Sequence, residues 1–147
     1  MHKILEMYHQ LNQFGIAQNL DFKLIEPGSI EYVMKVQKEH LATPLAIHGG
    51  VLAALMDAVL GVAALSKSCE SGQLVSTVEF KINYLAPVPP GVELLAKGKV
   101  IQAGKRIHIA EGNIYIKDSN TLVAKGIGTF NAYPLEKSGI LEHLENQ

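Results

Sequence analysis

The chain has no tryptophan, one cysteine and no cluster of lysine and arginine in its 147 residues. A lone Cys69 excludes an internal disulfide and a cysteine-built metal cage, and it fits a reducing cytosol. A net charge of −1 without a basic run lacks the electrostatic footprint of a nucleic-acid binder. The N-terminus MHKILEMYHQLNQF has neither the uninterrupted apolar core nor the small-residue cleavage site of a signal peptide. Serine-nucleophile elbow, P-loop and dinucleotide fingerprint are all missing. His40 and His48 have no HxxxH or carboxylate spacing to complete a ligand set, so no metal is expected.

Against these absences stands one run, GGVLAALMDAVLGVAAL over 49–65, in which Asp57 is the only polar side chain. It is short for a membrane span, and its central carboxylate and many Ala and Gly residues make insertion costly. A helix apolar all round is a buried one. A carboxylate in its middle must then be solvated by something specific or stay protonated. Asp57 is therefore either a structural carboxylate held by backbone or a buried Thr, or half of a site, and we favour the site.

Around this helix the punctuation is regular. Residues 2–14 carry Ile4, Leu5, Tyr8, Leu11 and Phe14 at helical spacing, with Gly15 expected to end the helix. Strand-like runs at 20–26 and 30–37 flank the turn signal Pro27-Gly28-Ser29. The segment 38–47 reads as a loop, and Ser66 to Gly72 closes the apolar helix. In 75–85, Val78, Phe80, Ile82 and Tyr84 alternate with Thr77, Glu79, Lys81 and Asn83, which predicts a strand with one polar face. Strands at about 92–102, 106–117 and 121–132 follow, joined by hairpin-length connections. This order predicts a single α+β domain over 1–147: an antiparallel sheet packed on the helix, with a core at about 20–132 and a tail at 133–147. Ala53, Ala54, Ala58, Gly61, Ala63 and Ala64 are expected to let the sheet curl closely around the helix.

Gly49 and Gly50 fall in the first helical turn, where N–H groups lack intrahelical partners. Those donors suit a carboxylate, a phosphate or a developing oxyanion; equally, the pair permits a tight loop-to-helix turn. His48, just before them, reads as a capping or orienting imidazole in preference to a proton carrier. Asp57 lies roughly 12 Å along the axis from Gly49. If the two act on one carbonyl, one helix cannot place both, but two antiparallel copies can. The expectation is a two-fold dimer with shared sites.

The string HGGVLAALMDAVLGVAAL and the following VSTVEFKINYLAPVPPGVELLAKGKV resemble the hotdog-fold acyl-CoA thioesterases of the PaaI-like branch. The resemblance spans about 20–132. It implies a sheet wrapped around a long central helix, and hydrolysis of an acyl-CoA to a free acid and CoA in the cytoplasm. It further implies a homodimer, paired into a tetramer, with no cofactor beyond the CoA of the substrate. Under it, Asp57 is the catalytic nucleophile or general base, and Gly49 the oxyanion donor on the opposing subunit, with Gly50 also against substrate. Thr77 helps hold the attacking water, and His48 is the motif histidine. Gly104, Lys105 and Arg106 lie where such proteins contact the CoA phosphates, which two cations on a turn suit. The family commonly carries Asn six residues before the motif His; here Ala42 stands there, with Thr43 as a possible replacement. That departure keeps a non-catalytic acyl-CoA or lipid binder as the alternative. A hydratase of the same fold fits less well, because Val62 and Leu65 stand where polar partners of Asp57 belong. Val51, Leu55 and Leu60 are candidate borders of an acyl pocket.

Overall fold

The computed structural model describes residues 1–146. Two short helices, α1 (Lys3–Leu11) and α2 (Gln13–Ala17), precede strands β1 (Asp21–Glu26) and β2 (Ser29–Lys35). A small hairpin, β3 (Leu41–Thr43) and β4 (Ala46–Ile47), leads into the long helix α3 (Gly49–Ser68). Then come β5 (Gln73–Tyr84), β6 (Glu93–Ala103), β7 (Ile107–Ile116) and β8 (Thr121–Pro134), followed by α4 (Ile140–Glu145). Six strands form one sheet in the order β1-β2-β6-β7-β8-β5, antiparallel throughout, wrapped around α3. Leu94, Ile114 and Phe130 are fully buried in the core, and each contributes about 1.5–3 kcal/mol by leaving water.

Close packing has a different origin from the expected one. Gly98, Gly112 and Gly126 are register partners on β6, β7 and β8, a side-chain-free lane under the helix. A Cβ on Gly98 would run into the carbonyl of Val59, and one on Gly112 or Gly126 would meet Met56 Sδ at 2.9 or 2.8 Å. Of the small helix residues, only Ala63 and Ala64 are buried. Ala53, Ala54, Ala58 and Gly61 lie with Asp57 on a half-buried stripe that the sheet leaves open.

Two local readings need correction and a third is refined. The N-terminal helix breaks at Asn12, not Gly15, because Asn12 Oδ1 accepts the Gly15 N–H at 3.0 Å and starts α2. The helix closes within the expected segment Ser66–Gly72, but Ser66 itself is still helical. Its hydroxyl donates back to the Ala63 carbonyl and accepts the Gly28 N–H, so it is satisfied inside the helix, which runs on to Ser68. Gly72, at φ 71°, makes the stop. The expected loop 38–47 is instead a short 3₁₀ turn plus the β3–β4 hairpin.

Candidate active site

Helix α3 begins at a tightly braced corner. His48 is its N-cap, with extended backbone, and its Nδ1 accepts the Gly50 N–H at 2.8 Å. A Cβ on Gly50 would lie 2.9 Å from that nitrogen, so a glycine is what lets the ring fold back. The His48 N–H donates to the His40 carbonyl at 2.8 Å, and Tyr84 Oη donates to the Gly49 carbonyl at 2.9 Å. His40 is itself fixed. Its Nδ1 accepts the Gln37 N–H, which leaves Nε2 to donate to Gln18 Oε1 at 2.8 Å. The cap thus uses the Gly50 N–H, and Gly50 is not the free donor expected of it. The Gly49 N–H, at the first helical position, has no acceptor among the described residues.

Asp57 sits two turns further on, half-buried, and accepts a 2.8 Å hydrogen bond from Thr77 Oγ1. The sequence pattern put Thr77 on the outward polar face of its strand. A bulge at Val78 changes that: Thr77 pairs with Phe130 and Glu79 with Thr129, so Val78 is the extra residue. Parity flips there. Val78 is thrown outward, 59% exposed, while Thr77 joins Phe80, Ile82 and Tyr84 on the helix side.

Asp57 and Thr77 open into a cleft walled by Ala58 and Gly61 of α3, Phe130 of β8, Tyr8 of α1 and Asn12 at the α1 C-cap. Burial, and then the Asp57 charge, push the Tyr8 phenol up. Asn12 Nδ2 donates to Tyr8 Oη at 3.2 Å. His48 and Gly50 line a separate depression with Phe14, Gln18 and His40, so one chain does not join the two halves of the motif. Nor does it join the turn Gly104-Lys105-Arg106 to Asp57. Gly104 and Lys105 border a third depression beside Lys67 and His108, and the Arg106 carbonyl is occupied by the Ala132 N–H.

Val51 and Leu55 border the His48 depression, not the Asp57 cleft, and Leu60 is buried against the sheet. Ala42 and Thr43 are exposed on the β3–β4 hairpin, where Thr43 Oγ1 accepts the Leu45 N–H at 3.3 Å. Sequence reasoning missed Tyr8, Asn12 and Tyr84. The helical spacing of Tyr8 marks an inward face but says nothing of what that face covers.

A family model described as the thioesterase superfamily matches residues 46–123, the segment that holds the cap, α3 and most of the sheet. Acyl-coenzyme A thioesterase 13 of Homo sapiens is 29% identical over 100 residues, 68% of this chain and 70% of that protein. The PaaI protein of the Escherichia coli phenylacetic acid degradation operon superposes with a TM-score of 0.80 at 22% identity, covering 87% of this chain and 89% of its own. A thioesterase protein of Streptococcus pneumoniae, solved with coenzyme A, has a TM-score of 0.77 at 22% identity and covers 86% and 97%.

Proposed function

This chain belongs to the thioesterase superfamily and has the hotdog fold, and from that premise we propose that it hydrolyses acyl-CoA thioesters with Asp57 as general base. The observation that carries the reading is the hydrogen-bonded Asp57–Thr77 pair in the wall of a mainly apolar cleft. A carboxylate held by one hydroxyl keeps its other oxygen for a water molecule. Water gives its proton to Asp57 as its oxygen bonds to the thioester carbon. The carbonyl oxygen becomes an oxyanion; collapse then breaks the C–S bond, and the CoA thiolate leaves and takes up the proton. No metal or redox cofactor enters this scheme.

The oxyanion needs a donor that Asp57's own chain keeps in another depression. The unpaired Gly49 N–H of a second copy supplies it in this reading. Two features favour a two-fold dimer. The Gly50, Ala54, Asp57, Ala58 and Gly61 stripe of α3 is left half-open, and β5 is a twelve-residue edge strand with one side unpaired. Exposed Ile101, Ile107 and Ile127 suit further pairing into a tetramer. The CoA phosphates fall to Lys105 and Arg106, and the cytosol is the proposed compartment. That human thioesterase 13 is named for acyl-CoA and the pneumococcal relative holds coenzyme A supports this substrate class.

The test is thiol release from a panel of acyl-CoAs. Asp57→Asn, nearly isosteric, is expected to lower kcat by about 10²–10⁴-fold with circular dichroism unchanged. Hydrolysis in ¹⁸O-water under single turnover is expected to label the acid and leave the Asp57 peptide unlabelled. Tight binding of CoA esters by the wild type without thiol release would instead establish a binding protein.

A further inference from the structure

The cleft at Asp57 has a second wall that lies outside the segment shared with the family model, which starts at residue 46. On one side are Asp57, Ala58, Gly61 and Leu65, successive positions on one face of α3. On the other are Met7, Tyr8 and Leu11, one face of α1, and Asn12 at its C-cap. The α3 wall is almost bare beside the carboxylate, since Ala58 and Gly61 carry a methyl group and nothing. Across from them the α1 wall carries a phenol ring. Width at that point is therefore set from α1. The cleft is also lined by Leu65, Leu74, Val75 and Ile140, all apolar, and by Tyr133. Its volume of about 320 Å³ is at the small end of the range for small-molecule sites.

The ring is held in place. Asn12 Oδ1 accepts the Gly15 N–H, which fixes the amide so that Nδ2 donates to Tyr8 Oη at 3.2 Å. A Cβ on Gly15 would stand 2.7 Å from Asn12 Nδ2, so the break between α1 and α2 itself sets the tether. Tyr8 and Asp57 line the same cleft, near enough for the carboxylate charge to add to the effect of burial on the phenol.

We infer that the slot between α1 and α3 is the acyl pocket, that it takes straight-chain acyl groups of medium length, and that Tyr8 is the residue that limits them. The inference rests on the hydrolase reading above and adds where the acyl group lies. The thioester carbon meets Asp57, and the chain runs under the Tyr8 ring along α3 towards Leu65 and Ile140. Removing the ring gives a longer chain apolar room, and each methylene that gains a buried place is worth about fourfold in affinity.

The experiment compares wild type, Tyr8→Ala and Tyr8→Phe on hexanoyl-, octanoyl-, dodecanoyl- and palmitoyl-CoA. Tyr8→Ala is expected to raise the palmitoyl-to-octanoyl ratio of kcat/KM on the order of tenfold, mainly through KM. Tyr8→Phe keeps the ring but loses its tether to Asn12, and is expected to shift the ratio far less than Tyr8→Ala does. An unchanged ratio in Tyr8→Ala, or the same change in Tyr8→Phe, would overturn the inference. If Tyr8→Ala does not fold, Leu11→Trp, an exposed position on the same wall, must shift the ratio the other way. Titration of the same variants with non-hydrolysable acyl-CoA thioethers by calorimetry separates the two readings. A length limit that moves with Tyr8 while no variant releases thiol sinks the hydrolase reading alone. Hydrolysis with a limit that ignores Tyr8 and Leu11 sinks this one alone.

Discussion

Asp57 and Thr77 work as a pair only if the hydroxyl proton points at the carboxylate, which is the geometry observed. A donor to a charged acceptor is worth more than one to a neutral group, though solvent at this open site discounts it. Thr77→Val keeps the shape and removes the proton. It is expected to lower kcat on the order of tenfold with KM little changed, while Thr77→Ser restores most of the rate. Steady-state kinetics on one acyl-CoA decides; an equal loss in Thr77→Ser would mean that shape, not the hydroxyl, matters. Asp57 was legible at this scale because a carboxylate among apolar residues is an energetic anomaly visible in one dimension. Gly49 was legible too, as a glycine in a first helical turn. Its division of labour with Gly50 was not, because only the folded His48 ring decides which N–H is spent.

At the scale of elements, the wrap of sheet around helix depends on backbone meeting backbone. The lane of Gly98, Gly112 and Gly126 lets α3 settle so near that the Val59 carbonyl occupies the place of a Gly98 side chain. Gly98→Ala is expected to destabilise the fold by about 2 kcal/mol or more, since the obstacle is main chain and cannot rotate away. Denaturant midpoints measure this; a change under about 0.5 kcal/mol would show that α3 can shift to make room. The strands and their hairpins were readable from period-two patterns and turn residues. The lane was not, because the three glycines are 14 residues apart in the chain and become neighbours only through register. The Val78 bulge was hidden for a related reason: an inserted residue reverses parity without leaving a mark in hydropathy.

At the scale of the whole molecule, the proposed mechanism leaves the site unfinished in one copy, and that can be tested without a structure of the dimer. Asp57 and the Gly49 N–H line different depressions or faces of the same chain, separated by two turns of a rigid helix. If catalysis needs both, each site of a two-fold dimer takes Asp57 from one copy and Gly49 from its partner. Two disabled variants then complement. Asp57→Asn removes the base. Gly49→Pro removes the N–H at the first helical position, the one place in a helix where proline fits. Each alone is expected to be nearly inactive. Co-refolded in equal amounts, half of the dimers are mixed, and each mixed dimer has one site with both lesions and one with neither. Thiol release is then expected to recover to about a quarter of the wild-type rate per chain. A site built within one chain predicts no recovery, because every chain in the mixture carries a lesion. The stripe of α3 that faces solvent in the single chain is expected to be the surface across which this exchange happens. Ala54→Arg, a charge placed on that stripe, is accordingly expected to give a monomer by light scattering and to abolish the recovery along with the dimer.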